Sequence, residues 1–447
     1  MTHNRPVIVI GAGIAGLAAA AKLGAAGIPL LMLEARDRIG GRIFTHHVSD
    51  FDTPIELGAE FIHGRPPEIW EALRQSGAEI SEVDGENWCV ENRVLRPCEF
   101  FSEVDSILKE MDESSPDESF LHFLERKFPN QNRDPKLQEA KQRTLAYVSG
   151  FNAADPAVVG VHWLVQELRA EEKIDGDRAF RSKNGYEDLL EAFHRHIAAC
   201  DVTIRKQSVV ETIHWKAGHV EVTGHDADGA FIFQSSQVLI TLPLGVLKSP
   251  AHQPGTVRFT PPLPAEKVAA FDKLEMGEVI RVVVRFRQRF WEAISDGNHS
   301  LSDMSFLFSE DEWFPTWWTM MPNKAPVITG WAPFRSAQRL SGNTFEFVRE
   351  HALLSLCRLL GVSLKNLESW LDGVYFHDWQ TDPFSRGAYS YGGVGSDGTQ
   401  QMLAAPLQNT LFFAGEATDT SGHNGTVHGA IASAYRASAE ILKARGV

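Results

Sequence analysis

A glycine pattern near the N-terminus constrains the fold of this chain more than any other feature. The apolar stretch Val7–Ile10 is typical of a buried strand, and Gly11, Gly13 and Gly16 follow it with the spacing G-x-G-x-x-G before an alanine-rich helix. The first glycine permits a tight turn, the second lets backbone approach a pyrophosphate, and the third lets the helix pack closely on the strand. The pattern predicts a strand–turn–helix unit that binds a phosphate-containing ligand at the helix N-terminus.

A second strand completes this unit. Pro29–Leu33 is apolar and ends at Glu34, about twenty residues beyond the glycines, where an acidic side chain binds a ribose hydroxyl. A glycine turn alone arises often by chance, but a strand, a helix, a second strand and an acid in this order do not. The N-terminal segment therefore predicts dinucleotide binding, without distinguishing one dinucleotide from another.

Length and charge limit the classes of protein that remain. The chain has 447 residues, which suggests two or three domains. Its 43 basic and 58 acidic residues give a formal net charge of -15, which argues against nucleic acid or an anionic membrane surface as a partner. An acidic surface attracts cationic ligands, although it also serves solubility. The sequence carries no signal for an oligomeric state.

The cysteines and the apolar stretches suggest a location. The four cysteines lack C-x-x-C spacing and are expected to be unpaired thiols, with no metal site: Cys89, Cys98, Cys200 and Cys357. The segment Met1–Pro6 is too short and polar for a signal peptide, and no apolar stretch reaches the roughly twenty residues of a membrane helix. We therefore expect a cytoplasmic protein.

The rest of the chain alternates between two kinds of region. Residues 69–178 are mostly polar and helical in character, and residues 264–371 mix helices with strands. Further predicted elements are a helix at Tyr186–Ile197, strands at Val202–Ile204, Val209–Ile213, Val220–Val222, Phe231–Phe233, Gln237–Leu242, Val279–Phe286 and Leu411–Ala414, and a long helix at Val427–Ala444. Segments typical of a nucleotide-binding domain thus flank and interrupt segments that are not.

Two features narrow the choice of dinucleotide. Gly41 and Arg42 follow the second strand and bring backbone and a guanidinium to the pyrophosphate side. Far along the chain, Phe412–Thr418 (FFAGEAT) and Gly425–Ala430 (GTVHGA) form a second strand–glycine–helix entry. A second helix N-terminus aimed at the cofactor suits the anionic edge of a reduced flavin.

With these motifs the chain resembles the flavin-dependent amine oxidases: the monoamine oxidases, the polyamine oxidases and the flavin-type histone lysine demethylases. The resemblance spans the whole chain and is looser around residues 80–180 and 295–370. Besides the motifs above, it rests on Glu56–Gly64 (ELGAEFIHG), Ser208–Ile213, Ile240–Lys248, Gly277–Trp291 and Trp379–Gly395.

The resemblance implies a fold and domain organisation. It implies an α/β protein, α+β overall, with a Rossmann-like FAD-binding domain and a discontinuous substrate domain of sheet and helices. We assign residues 1–75, 185–270 and 372–447 to the FAD-binding domain, and residues 76–184 and 271–371 to the substrate domain. Because Ala388 stands where monoamine oxidases carry the cysteine that bonds the flavin, we expect FAD to be held non-covalently.

The resemblance also implies which residues contact the cofactor. Val210 would touch the adenine, Ala59 and Glu60 would lie by the flavin, and Thr426 with Val427 would reach its pyrimidine end. The full predicted set is Gly11, Gly13, Ala15, Gly16, Glu34, Ala35, Arg36, Gly41, Arg42, Gly58, Ala59, Glu60, Val210, Trp379, Gly415, Glu416, Thr426 and Val427.

The implied activity is oxidation of a primary or secondary amine, with a polyamine-like one favoured and oxygen as the acceptor. Tyr389 occupies one position of the family's aromatic cage beside the flavin, and Thr426 occupies the other, which widens the entry. Trp317 and Trp318 are candidate wall residues and equally candidate core residues. His423 is a further candidate substrate contact, whereas a structural hydrogen bond is expected for His428.

Polar residues near the flavin complete the predicted site. Glu60 and His63 match positions that line the substrate tunnel of polyamine oxidases. Arg281 replaces the lysine that the family uses, through a water, at flavin N5. Arginine keeps the charge but does not release its proton, so the reaction with oxygen is in question.

Two other functions stay open. One is a flavoprotein dehydrogenase or desaturase that passes electrons to an acceptor other than oxygen, for which Arg281 argues. The other is a catalytically silent FAD-binding scaffold that presents residues 80–180 to a partner.

Overall fold

The computed structural model describes residues 5–91, 93–129 and 134–447. Its strands are β1 Val7–Ile10, β2 Leu30–Leu33, β3 Thr45–Val48, β4 Phe51–Glu56, β5 Ile62–His63, β6 Ile80–Glu82, β7 Glu86–Glu91, β8 Val94–Pro97, β9 Ala179–Ser182, β10 Val202–Arg205, β11 Val209–Lys216, β12 His219–Asp226, β13 Gly229–Ser235, β14 Val238–Ile240, β15 Arg258–Thr260, β16 Leu274–Met276, β17 Val279–Phe286, β18 Met304–Ser309, β19 Thr316–Thr319, β20 Val327–Pro333, β21 Leu371–Phe376, β22 Ser390–Gly392 and β23 Leu411–Phe413. Its helices are α1 Ile14–Ala25, α2 Pro67–Ser76, α3 Phe100–Leu108, α4 Phe120–Lys127, α5 Pro135–Gly150, α6 Val161–Glu171, α7 Glu187–Ala198, α8 Leu244–Leu247, α9 Ala265–Phe271, α10 Arg335–Leu340, α11 Phe345–Leu360, α12 Leu364–Trp370, α13 Thr399–Ala404 and α14 Val427–Arg445.

A parallel five-stranded sheet carries the glycine turn. Its strand order is β10-β2-β1-β14-β23, so the predicted first strand lies at its centre. Val7 and Val9 pack into one core with α1 and α14, whereas Ile8 and Ile10 pack into a second core on the opposite face. Burial on both faces explains why this strand is apolar throughout and does not alternate.

The second core is closed by the predicted meander. Strands β13, β12 and β11 pair antiparallel, and β15 adds to β11 in parallel. Ile213, Val220 and Val222 from this sheet contact the same core as Ile8 and Ile10. The arrangement places β11, including Val210, beside the end of the parallel sheet where Glu34 lies.

A seven-stranded sheet forms the other half of the molecule, with the order β21-β17-β20-β19-β18-β7-β8. Every residue of β17 is buried, and the buried residues include two arginines, Arg281 and Arg285, among apolar ones. Val282 and Val284 pack against α11 through Leu353 and Leu356. Buried arginines in a central strand require anionic partners, and these define part of the site below.

Residues 80–180 are less uniformly helical than predicted. Helices α3 to α6 are present, but β6, β7 and β8 precede them, and β7 pairs in parallel with β18. The proposed boundary at residue 372 falls within β21, which pairs with β17. The domain limits stay a prediction. Strand β21 itself belongs to the seven-stranded sheet.

The prediction that all four cysteines are unpaired is wrong for two of them. Cys89 and Cys98 form a disulfide, because β7 and β8 pair antiparallel and bring their Cα atoms to 5.8 Å. The two cysteines are nine residues apart, so no C-x-x-C motif marked them as a pair. Cys200 and Cys357 are free. The cytoplasmic location stays a prediction, and no helix in the described ranges is long and apolar enough to cross a membrane.

Candidate functional site

A cavity of about 1770 Å³ lies between the parallel sheet and the seven-stranded sheet. Ordinary ligand pockets measure roughly 300–1,000 Å³, so this one has room for a dinucleotide and a substrate together. Of the predicted cofactor residues, all except Gly16 line it.

Gly11 and Gly16 shape the turn that enters the cavity. Gly11 has a φ of +101°, which favours glycine, and a Cβ on Gly16 would lie 2.1 Å from the carbonyl oxygen of Gly11. Gly16 therefore allows α1 to begin against β1, as predicted, without facing the ligand. A Cβ on Gly13 would lie 3.8 Å from the Cα of Gly41, so these two backbones form facing walls.

Glu34 stands at the end of β2 and is held by backbone donors. Its two carboxylate oxygens accept hydrogen bonds from the amides of Ala12 at 2.8 Å and Arg36 at 2.9 Å. Arg36 in turn pairs with Asp382 at 2.8 Å. These bonds fix the carboxylate at the cavity wall, where its remaining lone pairs suit a ribose.

Arg42 and Glu416 join the N-terminal and C-terminal motifs. The Nη1 atom of Arg42 donates to Glu416 Oε1 at 2.8 Å and to the carbonyl of Ala388 at 2.8 Å. The second oxygen of Glu416 accepts from Ser390 Oγ at 2.5 Å and from the amide of Gly425 at 3.1 Å. One buried carboxylate thus connects segments that are nearly four hundred residues apart.

Thr426 caps α14 at the cavity. Its hydroxyl accepts a hydrogen bond from the amide of Gly429 at 2.9 Å, and its side chain lines the cavity together with Val427. A nineteen-residue helix directs the positive end of its dipole here. These features together fit a flavin dinucleotide: the glycine turn, the acidic side chain placed for a ribose, and the N-termini of α1 and α14.

A buried ionic network lies at the inner end of the cavity. Glu60 accepts hydrogen bonds from Arg281, from Arg181 Nε at 2.6 Å and from Trp318 Nε1 at 3.0 Å. Arg281 also donates from Nη1 to the carbonyl of Gly58 at 2.8 Å. Burial alone would raise the pKa of Glu60, but the charges of Arg281 and Arg181 lower it, so the carboxylate is ionised.

Comparison with known protein families shows which family this chain belongs to. A sequence profile of the flavin-containing amine oxidoreductases matches residues 14–97 and 98–442. The chain belongs to the family of flavin-containing amine oxidoreductases. FAD is accordingly its cofactor, as the motifs predicted. Ala388 lines the cavity, and non-covalent binding of FAD stays a prediction.

Curated relatives of this amine oxidoreductase fall into two groups. "Lysine-specific histone demethylase 1 homolog 2" of Arabidopsis thaliana is 30% identical over 98% of this chain and 58% of its own length. "Polyamine oxidase 2" of the same plant is 27% identical over 96% of this chain and 86% of its own length. The chain therefore spans only part of the demethylase relatives and most of the polyamine oxidase relatives.

Solved structures confirm the fold of the amine oxidoreductase. A putrescine oxidase bound to putrescine has a TM-score of 0.79 at 21% identity, with 98% of this chain and 99% of that chain covered. Cyclohexylamine oxidase from Brevibacterium oxydans has a TM-score of 0.77 at 19% identity, with 99% of each chain covered. At such identities the likeness shows the fold alone, which is the predicted two-domain one.

Aromatic side chains form one wall of the amine oxidoreductase's cavity. The hydroxyl of Tyr389 donates to the carbonyl of Phe151 at 2.5 Å, and the ring of Phe151 stacks on Tyr147. His63 meets the edge of Phe151 with ring centroids 5.3 Å apart. Burial lowers the pKa of His63, against the opposing charge of Glu171, so its imidazole is neutral near pH 7.

A half-buried carboxylate that sequence reasoning missed lies beside this wall. Glu167, on α6, lines the cavity and accepts from Asn152 Nδ2 at 2.9 and 2.7 Å. Burial, with the charge of Glu171 one helical turn away, raises its pKa to about 8. No motif marks Glu167, because its role depends on a helix that the looser part of the resemblance does not align.

Only one of the two adjacent tryptophans predicted as candidate wall residues lies at the cavity. Trp317 packs entirely in the core of the seven-stranded sheet and does not line the cavity, so its assignment as a substrate contact is wrong. Successive residues of β19 face opposite sides of the sheet, and Trp318 therefore faces the cavity and reaches Glu60. Strand alternation was the signal that could have separated them.

His423 also lies outside the cavity lining, although close to it. Its amide is held by Asp419 at 2.9 Å, and its ring meets that of His428 with centroids 4.5 Å apart. Glu171 approaches both imidazoles. The predicted candidates thus divide: His63, Glu60, Arg281, Tyr389 and Thr426 share the cavity wall, whereas His423 stands behind it.

Proposed function

We propose that this protein oxidises primary or secondary amines of polyamine-like character, with oxygen as the electron acceptor. FAD supplies the acceptor for a hydride from the carbon next to the amine nitrogen. The amine becomes an imine, which water hydrolyses to an aldehyde and ammonia or a shorter amine, and oxygen takes up the two electrons with two protons as hydrogen peroxide. The observation that carries the proposal is the acidic wall of the cavity.

Carboxylates dominate the part of the cavity that lies away from the glycine turn. Among the described residues, ten acidic side chains line it there, against three basic ones: Glu82, Asp84, Asp105, Glu167, Glu171, Glu172, Asp175, Asp177, Glu310 and Asp311, against Lys109, Arg178 and Arg335. Arg178 is already paired with Glu82, and Asp311 with Arg358. A ligand with two or more ammonium groups would relieve this excess of negative charge, and a neutral or anionic ligand would not.

Some of these acids are close enough to repel one another. Burial raises the pKa of Asp105, and the charge of Asp177 raises it further. Glu167 and Glu171 stand one turn apart on α6, and their repulsion acts in the same direction. Like-charged pairs at a cavity wall favour a bound cation, which stabilises both ionised forms.

The aromatic wall prepares the amine that reacts. An alkylamine with a pKa near 10.4 must lose its proton before it gives up a hydride, which costs roughly 4–5 kcal/mol at pH 7. Tyr389, Phe151 and Tyr147 surround this end with apolar surface and exclude water. Desolvation disfavours the ammonium form and offsets that cost.

Thr426 replaces a second aromatic group and keeps this end open. Its side chain is tied by the helix cap and by donation from its hydroxyl to the carbonyl of His423 at 2.7 Å. The small side chain leaves space for substituents on the amine nitrogen. This supports secondary amines as well as primary ones.

Electron transfer to an acceptor other than oxygen is a second candidate, which one observation favours. Arg281 brings a positive charge to the inner end of the cavity, but Glu60 pairs with it directly. A neutralised guanidinium stabilises an anionic oxygen species less than a free ammonium would. Turnover with oxygen, compared with quinone and dye acceptors under the same conditions, distinguishes the two.

Matched amines test the acidic wall. We expect 1,4-diaminobutane and longer polyamines to give a higher kcat/KM than butylamine, with peroxide formed in proportion to aldehyde. The advantage should shrink as salt rises, because salt screens the attraction of exposed carboxylates. Equal kcat/KM for diamine and monoamine at low salt would contradict the polyamine-like assignment.

A further inference from the structure

Three side chains with metal-binding atoms converge behind the aromatic wall. Glu171 comes from the C-terminal end of α6, His423 from the loop before α14, and His428 from the first turn of α14. One carboxylate oxygen, His423 Nδ1 and His428 Nε2 all lie within 4.8 Å of one another. We propose that these three residues bind a divalent transition-metal ion, with Zn²⁺ as the best match.

The two imidazole nitrogens have no hydrogen-bond partner in the described part of the chain. His423 Nδ1 and His428 Nε2 are both buried and unpaired there, and both face the carboxylate of Glu171. Glu171 Oε1 lies 3.5 Å from His423 Nδ1 and 3.8 Å from His428 Nε2, beyond the usual range of a hydrogen bond. Buried polar atoms left unpaired are costly, so two unpaired imidazole nitrogens facing one carboxylate oxygen indicate a missing ligand.

The spacing suits a tetrahedral ion. Ligand atoms about 2.1 Å from a zinc ion lie about 3.4 Å apart, close to the two shorter distances observed here. A set of two imidazoles and one carboxylate suits zinc and the neighbouring transition metals. Magnesium and calcium prefer oxygen ligands instead. Three protein ligands leave a fourth position for water or another small molecule.

The supporting structure holds the ligands in place before the ion arrives. The carbonyl of His423 accepts from Thr426, the cap of the helix that carries His428. Asn424 donates to the carbonyls of Glu416 and Asp419, which fixes the loop. A Cβ on Gly422 would lie 2.9 Å from the Cβ of Ala170, so the loop packs directly on α6 beside Glu171.

The ion would stand at the border of the reaction cavity. Glu171 and His428 line that cavity, so the fourth position opens towards it. This consequence rests on the proposed function: a dication there would repel a cationic substrate and raise its KM. Binding of the metal is measured without substrate and does not depend on that function.

The test uses FAD-loaded enzyme freed of metal by a chelator and titrated with Zn²⁺ alone. We expect one equivalent to bind, and X-ray absorption at the zinc edge to show nitrogen and oxygen ligands without sulfur. The variants His423→Ala and Glu171→Gln should each weaken binding by about 100-fold or more, with flavin content confirming the fold.

The control is His225→Asn, which removes an exposed histidine that faces Glu211 at 3.1 Å on the surface. It should leave Zn²⁺ binding unchanged. If the wild-type enzyme takes up no Zn²⁺ saturably, or if both site variants bind it as well as the control does, the proposal is overturned.

Discussion

Arg281 and Glu60 form an ion pair in which both side chains are buried, with exposed fractions of 5% and 3%. They come from β17 and from the segment after β4, and Arg181 and Trp318 complete the environment of Glu60. The arginine at this position is thus one part of a network, and its properties depend on the carboxylate beside it.

Replacing Arg281 with lysine tests how the network affects the reaction of reduced flavin with oxygen. A lysine is shorter and lacks the guanidinium fork that reaches both Glu60 and the carbonyl of Gly58. We expect Arg281→Lys to speed the reoxidation of reduced flavin by oxygen in stopped-flow measurements. Arg285→Lys is the control, since Arg285 lies on the same strand and pairs with Asp372 instead. Equal reoxidation rates in wild type and Arg281→Lys would remove the role assigned to this residue.

Removing the charge of Glu60 should destabilise the protein. Glu60→Gln leaves two buried guanidinium groups without an anion, and breaking a buried pair in this way costs about 3–5 kcal/mol. Chemical unfolding followed by circular dichroism should show a midpoint at clearly lower denaturant. Glu71→Gln, which breaks an exposed pair with Arg74, should change the midpoint little. An unchanged midpoint for Glu60→Gln would show that the network is not needed for stability.

The packing of Gly16 should control cofactor loading. In Gly16→Ala the added Cβ would lie 2.1 Å from the carbonyl oxygen of Gly11, so the turn must move away from the pyrophosphate. We expect purified Gly16→Ala to carry much less FAD per chain, measured by flavin absorbance. Gly150→Ala is matched to it, because a Cβ there meets nothing within 4 Å. Full FAD content in Gly16→Ala would contradict the role of this turn.

Glu167 should give cation binding a pH dependence. Its pKa of about 8 means that it is protonated at pH 7 in the free protein, and that it ionises as the pH rises. Binding of a bis-quaternary diamine, whose own charge does not titrate, should therefore tighten between pH 7 and pH 9. The same raised pKa makes Glu167 lower the free energy of unfolding as the pH rises from about 4.5 to about 8.

Two variants isolate this effect. Glu167→Gln should remove the dependence of bis-quaternary diamine binding on pH. Glu172→Gln removes a carboxylate from the exposed rim of the same cavity and should preserve the slope. A slope retained in Glu167→Gln would assign the pH dependence to another group.

Local pattern predicted the cofactor half of the protein well. β1, Gly11 and α1 could be predicted because a buried strand, a tight turn and a helix each leave a signal within a few residues. The partner of Arg281 left none, since Glu60 precedes it by 221 residues and the contact exists only after the two sheets pack together. The disulfide between Cys89 and Cys98 was also missed, because it depends on the pairing of β7 with β8 in a hairpin.

The substrate half was predicted less completely. Alternation along β19 decides that Trp318 and not Trp317 faces the cavity, but the sequence does not say which face that is. Glu167 and Glu171 were missed because a glutamate on a helix is usually a solvated one, and only the packing of α6 against Asn152 and the α14 loop partly shields them from solvent.

The central claim, oxidation of a cationic amine by bound FAD, is tested most directly by mixing the enzyme anaerobically with a panel of amines. Absorbance near 450 nm reports the bound flavin in this experiment, and no acceptor is needed. We predict that diamines and polyamines bleach the flavin fully, and faster than monoamines or amino acids of similar size. A flavin that stays oxidised with every amine in the panel would contradict the account and favour a silent FAD-binding scaffold.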